Sequence, residues 1–340
     1  MQIAILGAGA IGSLLAARLS STGEAVSLIA RGAAYDAIRR NGITLVTPQQ
    51  QILQTRPVVT DNAQALGPQD VLFLCVKAHE LLDALETLQP LVDRHTWVVP
   101  IVNGIPWWYP YKQPEPLGGR PLESIDPGGI LLRSIDSTRV IGAMTFAAVE
   151  KDSPGRIRHI ADQPFFFGDI EGHPNPMAER IVELFTRASL QARITDTIRA
   201  ALWVKLWGNM AFNPLSVVTG ATLGALCEDL ETRIVAHSMM QEAKNVAECL
   251  GVCFESSIDE RIATTARVGE FKTSMLQDFE AGRCLETAAI VGAVLELAGL
   301  VGCDMPVTRA ILVLVEERVL ARDAPADPNS NRPSDMVYSN

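Results

Sequence analysis

The tightest constraint on this chain lies at its start. The apolar run Ile3-Ala4-Ile5-Leu6 passes directly into Gly7-Ala8-Gly9-Ala10-Ile11-Gly12. A buried strand that ends in G-x-G-x-x-G and feeds a helix, here Ser13 to Thr22 with Gly23 as a stop, is the dinucleotide-binding fingerprint. Gly7 permits the tight turn, Gly9 lets backbone approach a pyrophosphate, and Gly12 lets helix and strand pack closely. Ala8, Ala10 and Ile11 complete the loop. The helix then turns unpaired N–H groups and a positive dipole end towards the phosphates. A second strand, Ala25 to Ala30, ends in Arg31 rather than in the Asp or Glu that grips a ribose 2′-hydroxyl. A guanidinium there suits a 2′-phosphate, which points to NADPH.

Composition narrows the class. At 340 residues, 48% hydrophobic and 20% charged, the chain has material for two domains and a sizeable core. A net charge of −10 argues against nucleic acid or an anionic membrane as partner. The six cysteines form no C-x-x-C pair and the five histidines no H-E-x-x-H, so no metal is expected. No signal peptide or bilayer-spanning run is apparent, and a cytoplasmic location is expected.

Along the chain, strands alternate with helices: Ile43–Val46, Pro57–Val59, the continuous apolar Val71–Val76, a helix over Glu80–Val92, then Trp97–Val102. This alternation predicts a Rossmann-type, doubly wound parallel sheet of the α/β class. Residues 104–137 interrupt it with six prolines, five glycines and the aromatics Trp107, Trp108, Tyr109 and Tyr111. They read as an ordered flap that closes over bound ligand. Val140–Val149 and Ile157–Phe167 suggest a small antiparallel extension, followed by a helix over Met177–Ser189. Helical periodicity then dominates. We expect a cofactor domain over 1–195, an all-helical C-terminal domain over 196–320, and a disordered polar tail over 321–340.

The chemistry-bearing residues cluster in that second half. In the segment 200–218, Lys205, Asn209 and Asn213 recur every four residues on one slowly drifting helical stripe. The other positions are nearly all apolar, so the helix should be buried and its polar residues should face a cavity, a partner or a ligand. Pro214 is expected to kink or end the helix just after Asn213. Desolvation would bring a lysine there towards the working pH and improve it as a general acid for an alkoxide formed by hydride addition. Ser274 to Asp278 lies in a later helical stretch, and Glu286 heads a long apolar one. By position alone Glu286 reads as a first-turn glutamate complementing the helix dipole.

Taken together, Arg31, Cys75-Val76-Lys77, Val102-Asn103-Gly104, Leu202-Trp203-x-Lys205-Leu206, Asn209, Asn213-Pro214-Leu215, Ser274-Met275-Leu276-Gln277-Asp278 and Glu286 form an ordered set. With it the chain resembles the ketopantoate reductases over residues 1–320. The resemblance implies NADPH-dependent reduction of a 2-oxo acid, 2-dehydropantoate to pantoate in pantothenate biosynthesis. It implies that Arg31 and Lys77 hold phosphate or ribose groups of NADPH and that Asn103 lies near the nicotinamide and substrate. Lys205 would be the general acid, Asn209, Asn213 and Ser274 would bind substrate hydroxyl and carboxylate groups, and Glu286 would bind substrate at the catalytic centre. The chain departs from the family pattern at Ala288, Val291 and Gly292, where Asp and then Asn-Gly are common, and in the 105–137 insertion. Two rival readings stand beside this one: an NADP-dependent reductase of another 2-oxo or hydroxy acid, and an NADPH-binding regulator without turnover. The apolar C-terminal helices offer a surface for a homodimer.

Overall fold

The computed structural model describes residues 1–324. In chain order the elements are β1 (Gln2–Leu6), α1 (Ala10–Leu19), β2 (Ala25–Ile29), α2 (Gly32–Asn41), β3 (Ile43–Val46), β4 (Ile52–Thr55), β5 (Val58–Thr60), β6 (Val71–Leu74), α3 (Leu85–Leu88) and β7 (Trp97–Pro100). There follow α4 (Ile130–Ser134), β8 (Ile141–Thr145), β9 (Ala148–Ser153), β10 (Arg156–Ala161), β11 (Phe165–Asp169), α5 (Pro176–Arg187) and β12 (Ala192–Ile194). From α6 (Ile198–Thr219) onward every element is helical: α7 (Leu223–Glu228), α8 (Leu230–Cys249), α9 (Ile258–Ala266), α10 (Ser274–Glu280), a π-helical turn (Ala288–Gly292), α11 (Ala293–Val301) and α12 (Pro306–Asp323).

Five parallel strands form the main sheet in the order β5-β2-β1-β6-β7. The order reverses between β1 and β6, and in open α/β sheets ligands bind in the crevice beyond the strand C-termini at such a point. Strands β1 and β6 are buried on both faces, as their unbroken apolar runs require. The Ile43–Val46 strand leaves this sheet. It pairs antiparallel with β4 and parallel with β10, in a four-stranded sheet that also holds β9. A third sheet joins β12, β11 and β8. The helix expected over Glu80–Val92 is broken into α3 and flanking 3₁₀ turns, the second containing Pro90, which has no N–H to continue an α-helix.

Two further expectations are corrected. Pro214 lies inside α6, which continues to Thr219; Leu215 and Val217 are buried around it and hold the turn that lacks its hydrogen bond. Residues 104–137 do not form a lid whose aromatics await a ligand. Trp107, Trp108 and Tyr109 are already fully buried by protein. The tryptophans pack among residues of the main sheet and Tyr109 in the helical core. The Tyr109 hydroxyl accepts from Trp203 Nε1 at 2.7 Å, and Arg199 donates to the carbonyls of Tyr109 and Tyr111. The segment is a wedge between the two halves. Of the expected tail, residues 321–323 belong to α12 and the remainder from 325 lies outside the described residues.

Candidate active site

The fingerprint loop follows its stereochemical requirement closely. Gly7 has φ +105°, and a Cβ there would press on the Cys75 backbone at 2.9 Å. A Cβ on Gly12 would overlap the Gly7 carbonyl, so helix α1 reaches the sheet only because position 12 is bare. Gly9 caps α1 without a side-chain hydrogen bond, and the first turn carries no acid. A Cβ on Gly9 would meet only the Cys75 carbonyl, at 3.7 Å, so its outer side is open. Unpaired N–H groups, a positive helix end and a bare approach fit a dinucleotide pyrophosphate. Arg31 is exposed at the N-terminus of α2, just beyond β2.

Opposite this loop the two halves of the chain meet in one polar chain of contacts. Lys205 on α6 donates from Nζ to Asn103 Oδ1 at 2.8 Å, and Asn103 Nδ2 donates to Glu286 Oε2 at 3.0 Å. The same Glu286 oxygen accepts from Lys77 Nζ at 3.1 Å, while its other oxygen accepts from the Ala78 N–H at 3.3 Å. Lys77 Nζ also donates to Asp278 Oδ2 at 2.7 Å, and Asp278 Oδ1 accepts from Arg283 Nε at 2.8 Å. Lys205, Lys77 and Arg283 thus face the buried carboxylates of Asp278 and Glu286, with the Glu80 carboxylate beside them accepting from the Lys77 N–H at 2.9 Å.

Local structure explains why these groups converge. Asn103 follows β7, and Lys77 follows β6, so both stand at the C-terminal edge of the main sheet. Gly104 has φ +79° and lies so close to the Ala289 carbonyl that a Cβ would overlap it; the next N–H, of Ile105, donates to that carbonyl at 2.8 Å. The Asn103–Gly104 turn is therefore docked on the π-helical turn that begins two residues after Glu286. Single π-turns of this kind re-aim the residues beside them. Of the departures noted above, Val291 is fully buried in the helical core and is a packing residue, whereas Ala288 is exposed beside Glu286.

Electrostatics set the two lysines apart. Burial pulls the Lys205 ammonium down to about 8, against an opposing pull from Glu286 and with Lys77 adding to the fall. Burial also works against the Lys77 charge, but Glu286 and Asp278 outweigh it and lift Lys77 above the ordinary lysine range. Lys205 can therefore give up a proton near neutrality, while Lys77 stays a fixed cation.

The remaining sequence candidates lie nearby along α6 and α10. Asn209 is half-buried and Asn213 buried, and Asn213 Nδ2 has no partner among the described residues. Ser216 Oγ donates to the Asn213 carbonyl at 2.6 Å and sits 2.5 Å from Thr273 Oγ1, the N-cap of α10. That link brings exposed Ser274 to the Asn213 turn. Lys77, expected at the cofactor, has its ammonium committed to Glu286 and Asp278. Asp278 was visible only as part of a motif; nothing local in the sequence marks a partner 201 residues from Lys77.

Comparison with known proteins gives the family. Family models described as "Ketopantoate reductase PanE/ApbA" and its C-terminal domain match residues 3–172 and 197–319. A 2-dehydropantoate 2-reductase of Mesorhizobium japonicum is 44% identical over 95% of this chain and 99% of its own. The crystal structure of a candidate ketopantoate reductase from Ralstonia solanacearum MolK2 superposes with a TM-score of 0.89 at 37% identity, covering 94% of this chain and 98% of that one. A D-mandelate dehydrogenase, solved with NADH and anilino(oxo)acetate, shares the fold at 20% identity, with a TM-score of 0.82 over 95% of this chain and all of that one. The chain belongs to the ketopantoate reductase family, NAD(P)-dependent oxidoreductases that act on CH–OH groups.

Proposed function

We propose that this protein reduces a 2-oxo acid at C2 with NADPH, and that 2-dehydropantoate is the substrate and pantoate the product. The observation that carries the reading is Lys205: a desolvated ammonium with a pKa of about 8, aimed by Asn103 at the C-terminal edge of the main sheet. NADPH, when bound, supplies the hydride. The Gly7–Gly12 loop and the α1 N-terminus would hold its pyrophosphate, and Arg31 its 2′-phosphate.

The chain's own residues do the rest. Lys205 holds a proton at Nζ for the oxygen that becomes the alkoxide, and its charge stabilises that oxygen as negative charge develops. Asn103 fixes the Nζ position, and Glu286 fixes the Asn103 amide so that Oδ1 faces Lys205. Lys77, held by Asp278, keeps Glu286 in place. The unpaired Asn213 Nδ2, with Asn209 and Ser274, offers hydrogen bonds to substrate oxygens.

The test is the decay of NADPH absorbance with 2-dehydropantoate, with Lys205→Ala beside the native protein. Turnover should fall by about 10²–10⁴-fold in the variant while NADPH binding persists. Near-native turnover in a folded Lys205→Ala protein would remove the general-acid role. Tight NADPH binding without any turnover would move the proposal to another 2-oxo acid, with Ala288 as the first place to look.

A further inference from the structure

Arg261 has no part in the contacts described so far. It belongs to α9, and its guanidinium packs on Gly208 of α6, where a Cβ would stand 3.3 Å from a terminal nitrogen. On another side it lies over the Phe146 ring, 5.7 Å from the centroid. Phe146 directly follows β8, so one side chain of the helical half crosses the seam to the sheet-bearing half. Among the described residues the guanidinium has no hydrogen bond and no ion pair, and its Nε is enclosed without a partner. Burial pulls it below the ordinary arginine range, with no carboxylate opposing.

Arg261 is half-buried, with its Nε enclosed and no anion beside it among the described residues; such a placement costs part of the guanidinium's hydration, and a cation–π contact offsets only some of that cost. The position says what kind of anion would complete it. Gly208 follows Lys205 by three residues, so the guanidinium fills the place of a missing side chain on the stripe that carries Lys205 and Asn209. That stripe is the open side of an otherwise buried helix: Val204 is exposed and Lys205 and Asn209 are half-buried. The bare position at 208 is what admits Arg261 to this face.

We propose that Arg261 binds the carboxylate of the 2-oxo acid and so selects anionic substrates. The inference rests on the reading of the protein as a 2-oxo acid reductase. A planar fork matches a carboxylate with two parallel hydrogen bonds, whereas the amides and hydroxyl of Asn209, Asn213 and Ser274 carry no charge to tell an acid from a neutral ketone.

The test compares 2-dehydropantoate with its uncharged lactone, in the native protein and in Arg261→Gln and Arg261→Lys. The acid-to-lactone ratio of kcat/KM should fall about 10- to 100-fold in Arg261→Gln, carried by KM for the acid, with a partial return in Arg261→Lys. The NADPH dissociation constant should not change. A seam residue with only a packing role would lower both substrates alike and leave the ratio unchanged, which would overturn the proposal. If the native protein does not turn over 2-dehydropantoate, the function reading fails by itself, and Arg261 is judged by calorimetric titration of oxalate into the protein–NADP⁺ complex. Binding at least tenfold weaker in Arg261→Gln would sustain the assignment; equal binding, or none in either protein, would end it.

Discussion

Replacing Glu286 by glutamine should move the alkaline limb of activity to lower pH. Lys205 and Glu286 are joined through one asparagine, by contacts of 2.8 and 3.0 Å. The two charges are therefore within about 8 Å of each other, and at an effective dielectric near 20 their attraction is roughly 2 kcal/mol, or about 1.5 pKa units. Glu286 raises the Lys205 pKa, so its neutral isostere should let that pKa fall from about 8. Lys77 acts in the same direction: with one of its two carboxylates gone, its charge bears more heavily on Lys205. Both effects lower the pKa, and we expect a drop of one unit or more. The general acid is competent while protonated, so kcat/KM should begin to fall at lower pH in Glu286→Gln, alongside a loss in absolute rate. The pH profile of kcat/KM for the free enzyme reads this limb, and competitive acetylation of Lys205 across the same pH range reads it without turnover. An alkaline limb that stayed in place or moved upward would refute the electrostatic linkage through Asn103.

Other consequences can be checked separately. Gly104→Ala puts a side chain on a left-handed backbone and into the Ala289 carbonyl, so it should cost about 2 kcal/mol or more. A fall of several degrees in Tm and a loss in kcat larger than that of surface controls would report the displaced Asn103. Arg31→Ala should raise KM for NADPH by about tenfold or more and leave KM for NADH nearly unchanged, as steady-state kinetics with both cofactors would show. His159 is buried with no hydrogen-bond partner for either ring nitrogen among the described residues, and burial, with Arg18 adding to it, holds its pKa below the ordinary 6.5 despite Asp162 nearby. The unfolded chain then binds the extra proton first, so stability should be full above about pH 6.5 and decline as pH falls towards the depressed folded value. Thermal melts from pH 7.5 to 5 should show that slope, and His159→Leu should flatten it.

How much was legible in the sequence depended on whether a signal was local. The loop at Gly7–Gly12 announced itself because strand, turn and helix are consecutive and the glycines recur at fixed spacing within six residues. Lys205, Asn209 and Asn213 stood out because polar residues at helical spacing in an apolar run need somewhere to point. Glu286 looked ordinary by position; the family resemblance marked it for the catalytic centre, and the fold sets it against Asn103 and Lys77. Pro214 does not end α6, because packing around that helix accommodates it, while Pro90 helps break a helix over Glu80–Val92 that periodicity favoured. Trp107, Trp108 and Tyr109 suggested a lid by composition, yet their large apolar surfaces are satisfied by protein.

The sequence by itself determined the parallel sheet, the dinucleotide fingerprint, the helical second half and a lysine set in an apolar helix, because strand and helix periods and the spacing of the glycines are written over a few residues. Only the tertiary structure decided which charges share that lysine's environment. Lys77 meets Asp278 and Glu286 across more than two hundred residues of chain, and Arg261 reaches the open face of α6 through the gap at Gly208. Desolvation and Coulomb energy depend on distance in space, and no spacing along the chain encodes them.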